Sequence, residues 1–170
     1  VGKTAFALNL ALAAAKSTKK NIAIFSLEMP AEQLIMRMIS SLGQIDNKKL
    51  STGKLENEDW KRFNEAISIL ADTNIYFHDA GGVTPAEIKA KCRRLATQGD
   101  GLGLVIIDYL QLIDSSSRYS GSRQQEVSEI SRALKTMALE LEVPVIALSQ
   151  LSRSVEKRED KKPVLSDLRE

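Results

Sequence analysis

The stretch Leu104-Val105-Ile106-Ile107-Asp108 decides the fold class of this 170-residue chain. Four consecutive apolar residues without alternation are typical of a strand that is buried on both faces, as strands of parallel sheets are. The run ends on a carboxylate, and parallel strands present their carboxyl ends at the edge of the sheet where α/β proteins bind ligands. The stretch therefore predicts a parallel sheet with a functional acid, Asp108, at that edge.

Three further apolar runs have the length of strands, and segments with helical character separate them. The predicted strands are 21–27, 75–78 and 143–149, and the predicted helices are 4–16, 30–43, a segment around 60–70, 85–96 and 127–141. This alternation predicts an α/β fold, with a mainly parallel sheet and helices on both faces. The run 145–148 is also expected to be buried on both sides, and 44–56 to be polar and turn-rich. Trp60 and Phe63 share an apolar helix face and are expected in the core.

The composition excludes several classes of protein. The chain has 24 Lys and Arg against 22 Asp and Glu, a formal net charge of +2, so charge alone does not indicate nucleic-acid binding. Cys92 and His78 are the only cysteine and histidine, which excludes an internal disulfide and a Cys/His zinc site. No apolar run reaches the ~20 residues that span a bilayer. We therefore expect a soluble, cytoplasmic protein that does not contact membranes.

The second informative motif is Gly2-Lys3-Thr4, which stands directly before the first predicted helix. It matches the last three positions of the phosphate-binding loop G-x-x-x-x-G-K-[ST], in which helix N–H groups hold phosphate oxygens. Lys3 would reach the outer phosphates, and the Thr4 hydroxyl would bind Mg²⁺. Alone, the tripeptide could equally be a chance match. Asp108 favours the functional interpretation over a simple loop cap, because a second Mg²⁺-holding acid is expected at the end of a buried strand.

Glu28 and Gln150 also follow apolar runs, IAIFSL and VIALS, so both are expected at the same sheet edge. A carboxylate there can polarise an attacking water, and a neutral amide can bind a γ-phosphate without competing for the metal. Either residue alone could belong to an ordinary loop. Together with Lys3, Thr4 and Asp108, they predict Mg²⁺-dependent hydrolysis of a nucleoside triphosphate.

Five blocks that occur in order resemble the motor domain of the DnaB family of replicative DNA helicases. They are 1–7 (VGKTAFA), 25–29 (FSLEM), 104–113 (LVIIDYLQLI), 149–153 (SQLSR) and 166–170 (SDLRE). The resemblance implies a C-terminal RecA-like ATPase domain with a P-loop NTPase core, working as a homo-hexamer around single-stranded DNA. It implies translocation from 5′ to 3′ and unwinding of the duplex at a replication fork. It also implies contacts with primase and a helicase loader, in the bacterial nucleoid.

The resemblance assigns roles to individual residues. Glu28 would be the general base and Gln150 the γ-phosphate sensor. Thr4 and Asp108 would hold Mg²⁺, and Arg169 and Glu170 would lie on the DNA-facing loop of the central channel. The nucleotide would be bound by Val1, Gly2, Lys3, Thr4 and Asp108. The phosphate motif lacks its first half and the chain ends inside the last block, so we expect residues 1–170 to be one domain cut at both ends, with the arginine finger beyond Glu170.

Other interpretations stay open at this stage. A RecA- or RadA-like recombination ATPase has the same core, and a ring paralogue could bind nucleotide in order to assemble without hydrolysing it. The charged segment 152–163 is most simply a solvated loop, and the alternative is a channel loop that grips the sugar-phosphate backbone.

Overall fold

A computed structural model describes residues 2–79, 81–113 and 123–168. Its centre is a four-stranded sheet in the order β2-β1-β3-β4, and every neighbouring pair is parallel. The strands are β1 (Asn21–Ser26), β2 (Ile75–His78), β3 (Leu102–Asp108) and β4 (Val145–Leu148). The predicted parallel α/β sheet is confirmed, and its four carboxyl ends lie along one edge.

Helices connect the strands as the alternation of patterns predicted. They are α1 (Lys3–Ser17), α2 (Ala31–Gly43), α3 (Asn47–Thr52), α4 (Asn57–Ala71), α5 (Pro85–Ala96), α6 (Arg123–Leu141) and the short α7 (Ser154–Lys157), with 3₁₀ turns at Leu110–Leu112 and Leu165–Leu168. Helix α5 begins with a capping box, in which the Thr84 hydroxyl accepts from the Glu87 N–H and the Glu87 carboxylate accepts from the Thr84 N–H, both at 3.3 Å.

The two faces of the sheet are covered by different helices. Successive side chains of a strand point to opposite faces, so each central strand supplies both layers. On one face, α1 and α2 pack against Ile22, Ile24, Leu104 and Ile106. On the other face, α5 and α6 pack against Ala23, Phe25, Val105 and Ile107. Every residue of β1 is buried, which explains why the run 21–26 is almost continuously apolar.

The expectation for 145–148 was wrong. Val145, Ile146 and Leu148 are only half-buried and Ala147 is exposed. The reason is the position of the strand: within the described part of the chain, β4 pairs with β3 alone and forms an edge of the sheet. A continuous apolar run indicates a strand but does not tell how many neighbours the strand has.

The expectation for Trp60 was also wrong, since it lies on α4 with 47% of its surface exposed. Phe63 is half-buried. Helix α4 contributes its own Ala66 to a small satellite core with Ile39, Ile45 and Leu50, while its Leu70 packs against the core that α1 and α2 form on the sheet. A satellite core covers a narrower face of a helix than a sheet does, so part of the apolar stripe stays in solvent.

The segment 44–56 is more ordered than its polar composition suggested. It contains α3, whose first turn is capped by the Asp46 carboxylate accepting from the Lys48 N–H at 2.7 Å. Asp59 is buried beside it and pairs with Arg62 at 2.7 Å and Lys49 at 3.3 Å. The Glu56 N–H, followed by these two cations, holds the pKa of the Asp59 carboxyl below its usual range.

Cys92 lies on the inward face of α5 with no exposed surface, as expected for an inert core thiol. Burial raises its pKa to about 12, so the reactive thiolate is almost absent at neutral pH. Among the residues that the structure describes, no helix is both long and apolar enough to cross a bilayer.

Candidate active site

The site begins at the start of α1. Gly2 precedes the helix with φ +82°, in the left-handed region that glycine adopts without strain. No side chain caps this helix end and its first turn carries no acidic residue. The first N–H groups of a helix have no intrahelical acceptor and carry partial positive charge, so this end is suited to bind an anion such as phosphate.

The first turn of α1 meets the end of β3 in what we call the Asp108 corner, formed by Lys3, Thr4 and Asp108. The Thr4 hydroxyl donates to Asp108 Oδ2 at 3.0 Å, and Lys3 Nζ lies 3.3 Å from Asp108 Oδ1. Only 3% of the Asp108 surface is exposed. The two segments are 104 residues apart in sequence, and the structure brings them together at the edge where sequence analysis expected them.

The Asp108 corner fits a hard divalent cation. Asp108 Oδ1 is buried and has no hydrogen-bond partner, with Lys3 as its charged neighbour. A carboxylate and a hydroxyl are oxygen ligands of the kind Mg²⁺ prefers, and Mg²⁺ is commonly held by one or two protein groups together with substrate phosphates and water. In the described residues no group of three or more His, Cys, Asp or Glu could hold a metal. The corner therefore suits a metal that arrives with a phosphate.

Tyr109 belongs to the same corner, although sequence analysis did not select it. Lys3 Nζ lies 4.5 Å from the centre of its ring, within the range of a cation–π contact. The ring and Asp108 together hold the lysine over the end of β3. The only signal in the sequence was adjacency, because Tyr109 directly follows the acid.

Glu28 lies one residue beyond the point where β1 and β3 part. Ser26 pairs with Asp108 in the sheet, and the Leu27 N–H then donates to the Asp108 carbonyl at 2.8 Å. The turn is fixed by the buried Ser26, whose hydroxyl donates to the Met29 carbonyl at 2.6 Å. Glu28 is exposed and, among described residues, its carboxylate makes no hydrogen bond. The backbone thus brings Glu28 to the edge beside Asp108, as predicted.

Gln150 follows β4 at the same edge, in what we call the Gln150 turn, formed by Gln111, Ser149 and Gln150. Asp108 pairs with Leu148, so Gln150 stands two residues past the end of the ladder. Its side chain is exposed. Its backbone is bound by the Gln111 amide, which donates to the Gln150 carbonyl at 2.9 Å and accepts from the Gln150 N–H at 3.2 Å. Gln111 was not predicted as a functional residue, although it is the polar residue inside the apolar run YLQLI.

The segment that follows, residues 152–168, we call the basic loop. Residues 152–163 were expected to form a solvated loop; the segment contains the short helix α7, and the Ser152 N–H donates to the Asp167 carbonyl at 2.9 Å, which closes its base. Asp167 is buried, and its carboxylate accepts from the Val164 N–H at 2.7 Å and from the Arg158 guanidinium. Lys161 and Lys162 stay exposed. Val1, Arg169 and Glu170 lie outside the described residues, so their roles stay predictions.

Comparison with known proteins gives a consistent result. The model of the DnaB-like helicase C terminal domain matches residues 1–170. The whole chain is 58% identical to the replicative DNA helicase DnaB of Geobacillus stearothermophilus and 58% identical to the replicative DNA helicase DnaC of Bacillus subtilis (strain 168), and it covers 37% of each. The chain thus spans little more than a third of the length of these curated relatives.

Solved structures agree with the sequence relatives. A DnaB-like replicative helicase, described with its interactions with primase, matches 99% of this chain with a TM-score of 0.91 and 42% identity, over 40% of its own length. A second solved structure, of an ATPase domain, matches 99% of this chain with the same TM-score of 0.91 and 42% identity, over 60% of its own length.

A parallel sheet with helices on both faces and a phosphate-loop helix start at its carboxyl edge defines a RecA-like ATPase core. Within that class, the match over all 170 residues is specific: the chain belongs to the DnaB-like helicase C-terminal domain family.

Proposed function

We propose that residues 1–170 form the motor domain of a replicative DNA helicase, which hydrolyses ATP with Mg²⁺ in order to translocate along single-stranded DNA. The observation that supports it most directly is the Asp108 corner, where Thr4 and Lys3 contact a buried acid at 3.0 and 3.3 Å. The curated relatives of the chain are named replicative DNA helicases, which supports DNA as the polymer and replication as the process.

Each residue of the site has a distinct task in the proposed chemistry. The N–H groups at the start of α1 and the Lys3 ammonium hold the phosphates, so that the terminal phosphoryl group lies between α1 and the end of β3. Thr4 and Asp108 would hold Mg²⁺, which would supply positive charge to neutralise the phosphate oxygens. Glu28 accepts a proton from the attacking water and orients it, and the Gln150 amide donates to the γ-phosphate. Most of the acceleration comes from this positioning and charge stabilisation.

The proposed polymer contact is the basic loop, because it directly follows Gln150 and carries the exposed Lys161 and Lys162. Arg169 and Glu170 are proposed to contact the same DNA strand. Contacts of this kind neutralise phosphates without reading bases, so affinity for single-stranded DNA should fall steeply with salt and depend little on sequence.

The proposed assembly is a ring-shaped homo-hexamer in the bacterial cytoplasm, with an arginine finger from the neighbouring subunit completing each site. Primase and a helicase loader are the proposed protein partners, and one similar structure was described together with its interactions with primase. A finger supplied in trans would make hydrolysis by residues 1–170 alone slow.

The deciding experiment measures ATP hydrolysis and 5′-to-3′ unwinding of a forked duplex by the complete protein, with and without single-stranded DNA. We expect stimulated hydrolysis and unwinding, both abolished in Lys3→Ala. Turnover that DNA does not stimulate, together with no unwinding, would contradict the proposal in favour of an assembly module. Electron microscopy with ATP and DNA adds a second criterion, because filaments in place of rings would favour a recombination ATPase.

A further inference from the structure

The Gln150 backbone is held by one side chain from a distant part of the fold. Gln111 lies 39 residues earlier, in the 3₁₀ turn after β3. Its amide exchanges two hydrogen bonds with the Gln150 peptide groups, at 2.9 and 3.2 Å, and a third with the Ser149 hydroxyl at 2.8 Å. A primary amide offers an N–H donor and a carbonyl acceptor, as a peptide group does. Gln111 therefore joins the segments that follow β3 and β4 in the way that one more backbone pair of the sheet would.

This contact matters because regular pairing ends before Gln150. The last pair of the β3–β4 ladder is Asp108 with Leu148. The Gln150 side chain is exposed, and the described residues give it no hydrogen bond of its own. Its position is therefore set through its backbone, and the backbone is set by Gln111.

Gln111 is itself fixed at both of its ends. Gln111 lies three positions after Asp108, so its backbone is anchored to the end of β3, the strand that carries the proposed metal-binding acid. Its carbonyl accepts from the Arg123 guanidinium, and Arg123 also pairs with Glu126 at 2.9 Å within the first turn of α6. The side chain that holds Gln150 thus connects β3 and α6 to the turn after β4.

We infer that Gln111 is a positioning residue for Gln150: it holds the γ-phosphate sensor at a fixed distance from the Asp108 corner. This inference rests on the proposed function of the same site. Without the Gln111 amide, the turn after β4 loses its connection to β3. A displacement of about 1 Å in a positioned group can reduce a rate by about a hundredfold.

The main test replaces Gln111 with methionine, which keeps the length of the side chain and removes its donor and acceptor. In the complete protein, Gln111→Met should lower kcat for DNA-stimulated ATP hydrolysis about tenfold, while KM for ATP and the affinity for a fluorescent ATP analogue stay within about twofold of the parent. The matched control is Gln125→Met, the same change at an exposed residue of α6, which should keep parental kcat. A parental kcat in Gln111→Met would overturn the inference.

A double-mutant cycle separates positioning from a general structural effect. If Gln111 acts through Gln150, then Gln111→Met should add almost nothing to the loss already caused by Gln150→Ala. Independent, multiplicative losses would show that Gln111 acts by another route and would overturn the inference.

Gln111→Glu and Ser149→Ala keep the inference testable if the methionine variant fails to fold. Gln111→Glu preserves shape but replaces the donor to the Gln150 carbonyl with a second acceptor, so kcat should fall about as far as in Gln111→Met. Ser149→Ala removes one of the three bonds and should lower kcat about two- to threefold. Parental kcat in both variants would overturn the inference.

The parent and Lys3→Ala are measured alongside these variants. A parent that does not hydrolyse ATP would remove both the proposed function and the inference. A parent that is active, with an inactive Lys3→Ala and a parental Gln111→Met, would remove the inference alone.

Discussion

The Asp108 corner and the Gln150 turn lie on the same sheet edge but are built differently. In the corner, side chains contact side chains: Lys3 and Thr4 surround a carboxylate with 3% of its surface exposed. In the turn, a side chain contacts backbone, and the functional side chain of Gln150 stays exposed. Glu28 resembles the turn, because its backbone is fixed by Leu27 while its carboxylate faces solvent.

The difference separates two kinds of task. The groups proposed to hold phosphate and metal already contact one another in the fold, so little ordering would be left for binding. Groups proposed to act on the attacking water and the γ-phosphate are supplied by turns whose side chains have no partner of their own among the described residues. Loss of the first kind should therefore affect binding and stability, and loss of the second should affect turnover.

The largest effect is expected from Lys3→Ala. It removes the ammonium that reaches the phosphates and leaves Asp108 without its charged neighbour. Binding of a fluorescent ATP analogue should be abolished, because the charge-assisted bonds to phosphate are lost. The control is Lys16→Ala, at an exposed residue in the last turn of the same helix, which should bind as the parent does. Parental affinity in Lys3→Ala would show that the Asp108 corner does not bind the nucleotide, which would contradict the distinction between binding groups and turnover groups.

Glu28→Gln should separate binding from turnover. It keeps the shape of the side chain but cannot accept the proton, so single-turnover hydrolysis in the complete protein should fall about 10²- to 10⁴-fold while nucleotide affinity is kept. Glu32→Gln, an exposed residue in the first turn of α2, is the matched control and should hydrolyse normally. Hydrolysis at the parental rate in Glu28→Gln would mean that the base is assigned wrongly.

Gln150→Ala should have a smaller effect on the same rate. Removing one donor to the developing negative charge lowers kcat by about a hundredfold, with KM for ATP close to that of the parent. The readout is steady-state hydrolysis over a range of ATP concentrations. A rise in KM at unchanged kcat would place Gln150 among the binding groups and remove the contrast with the Asp108 corner.

The smallest effect concerns stability in the absence of nucleotide. Thr4→Val removes a hydroxyl that donates to a buried carboxylate, so the free energy of unfolding should fall by about 1.5–3 kcal/mol. Gln150→Ala should change it by less than about 0.5 kcal/mol, because the side chain is exposed. The free energies of unfolding of both variants and of the parent are measured by urea unfolding without nucleotide. Equal losses would show that the two regions contribute alike to the fold.

Local patterns predicted much of this architecture. The apolar run before Asp108 is a strand of the sheet, and the capping box at Thr84 opens α5 at the expected residue. The meeting of Lys3, Thr4 and Asp108 was also predictable, since a helix start and the end of a parallel strand belong to the same sheet edge. The catalytic and metal-binding roles of these residues remain predictions.

Other features depend on packing that a local pattern does not contain. The stripe on α4 indicates which face is apolar but not that a small satellite core covers it, so Trp60 is more exposed than expected. The apolar run 145–148 does not indicate that β4 is an edge strand, with β3 as its one neighbour among the described residues. Gln111 was missed because two of its three side-chain hydrogen bonds go to Gln150 backbone atoms 39 residues away, and the residue type at 150 is irrelevant to those two bonds.

The hydrogen bond between Ser152 and Asp167 fixes the base of the basic loop independently of how far the tip of the loop extends. Since the base of the loop is joined by these two residues, insertions around the exposed positions 159–163 would extend the tip while the junction with Gln150 stays in place. Closing a longer flexible loop is inexpensive, at roughly 0.6 kcal/mol for each doubling of length. The length of this segment could thus vary without a change at the proposed nucleotide site, so the proposed DNA contact and the proposed site of hydrolysis could change independently of each other.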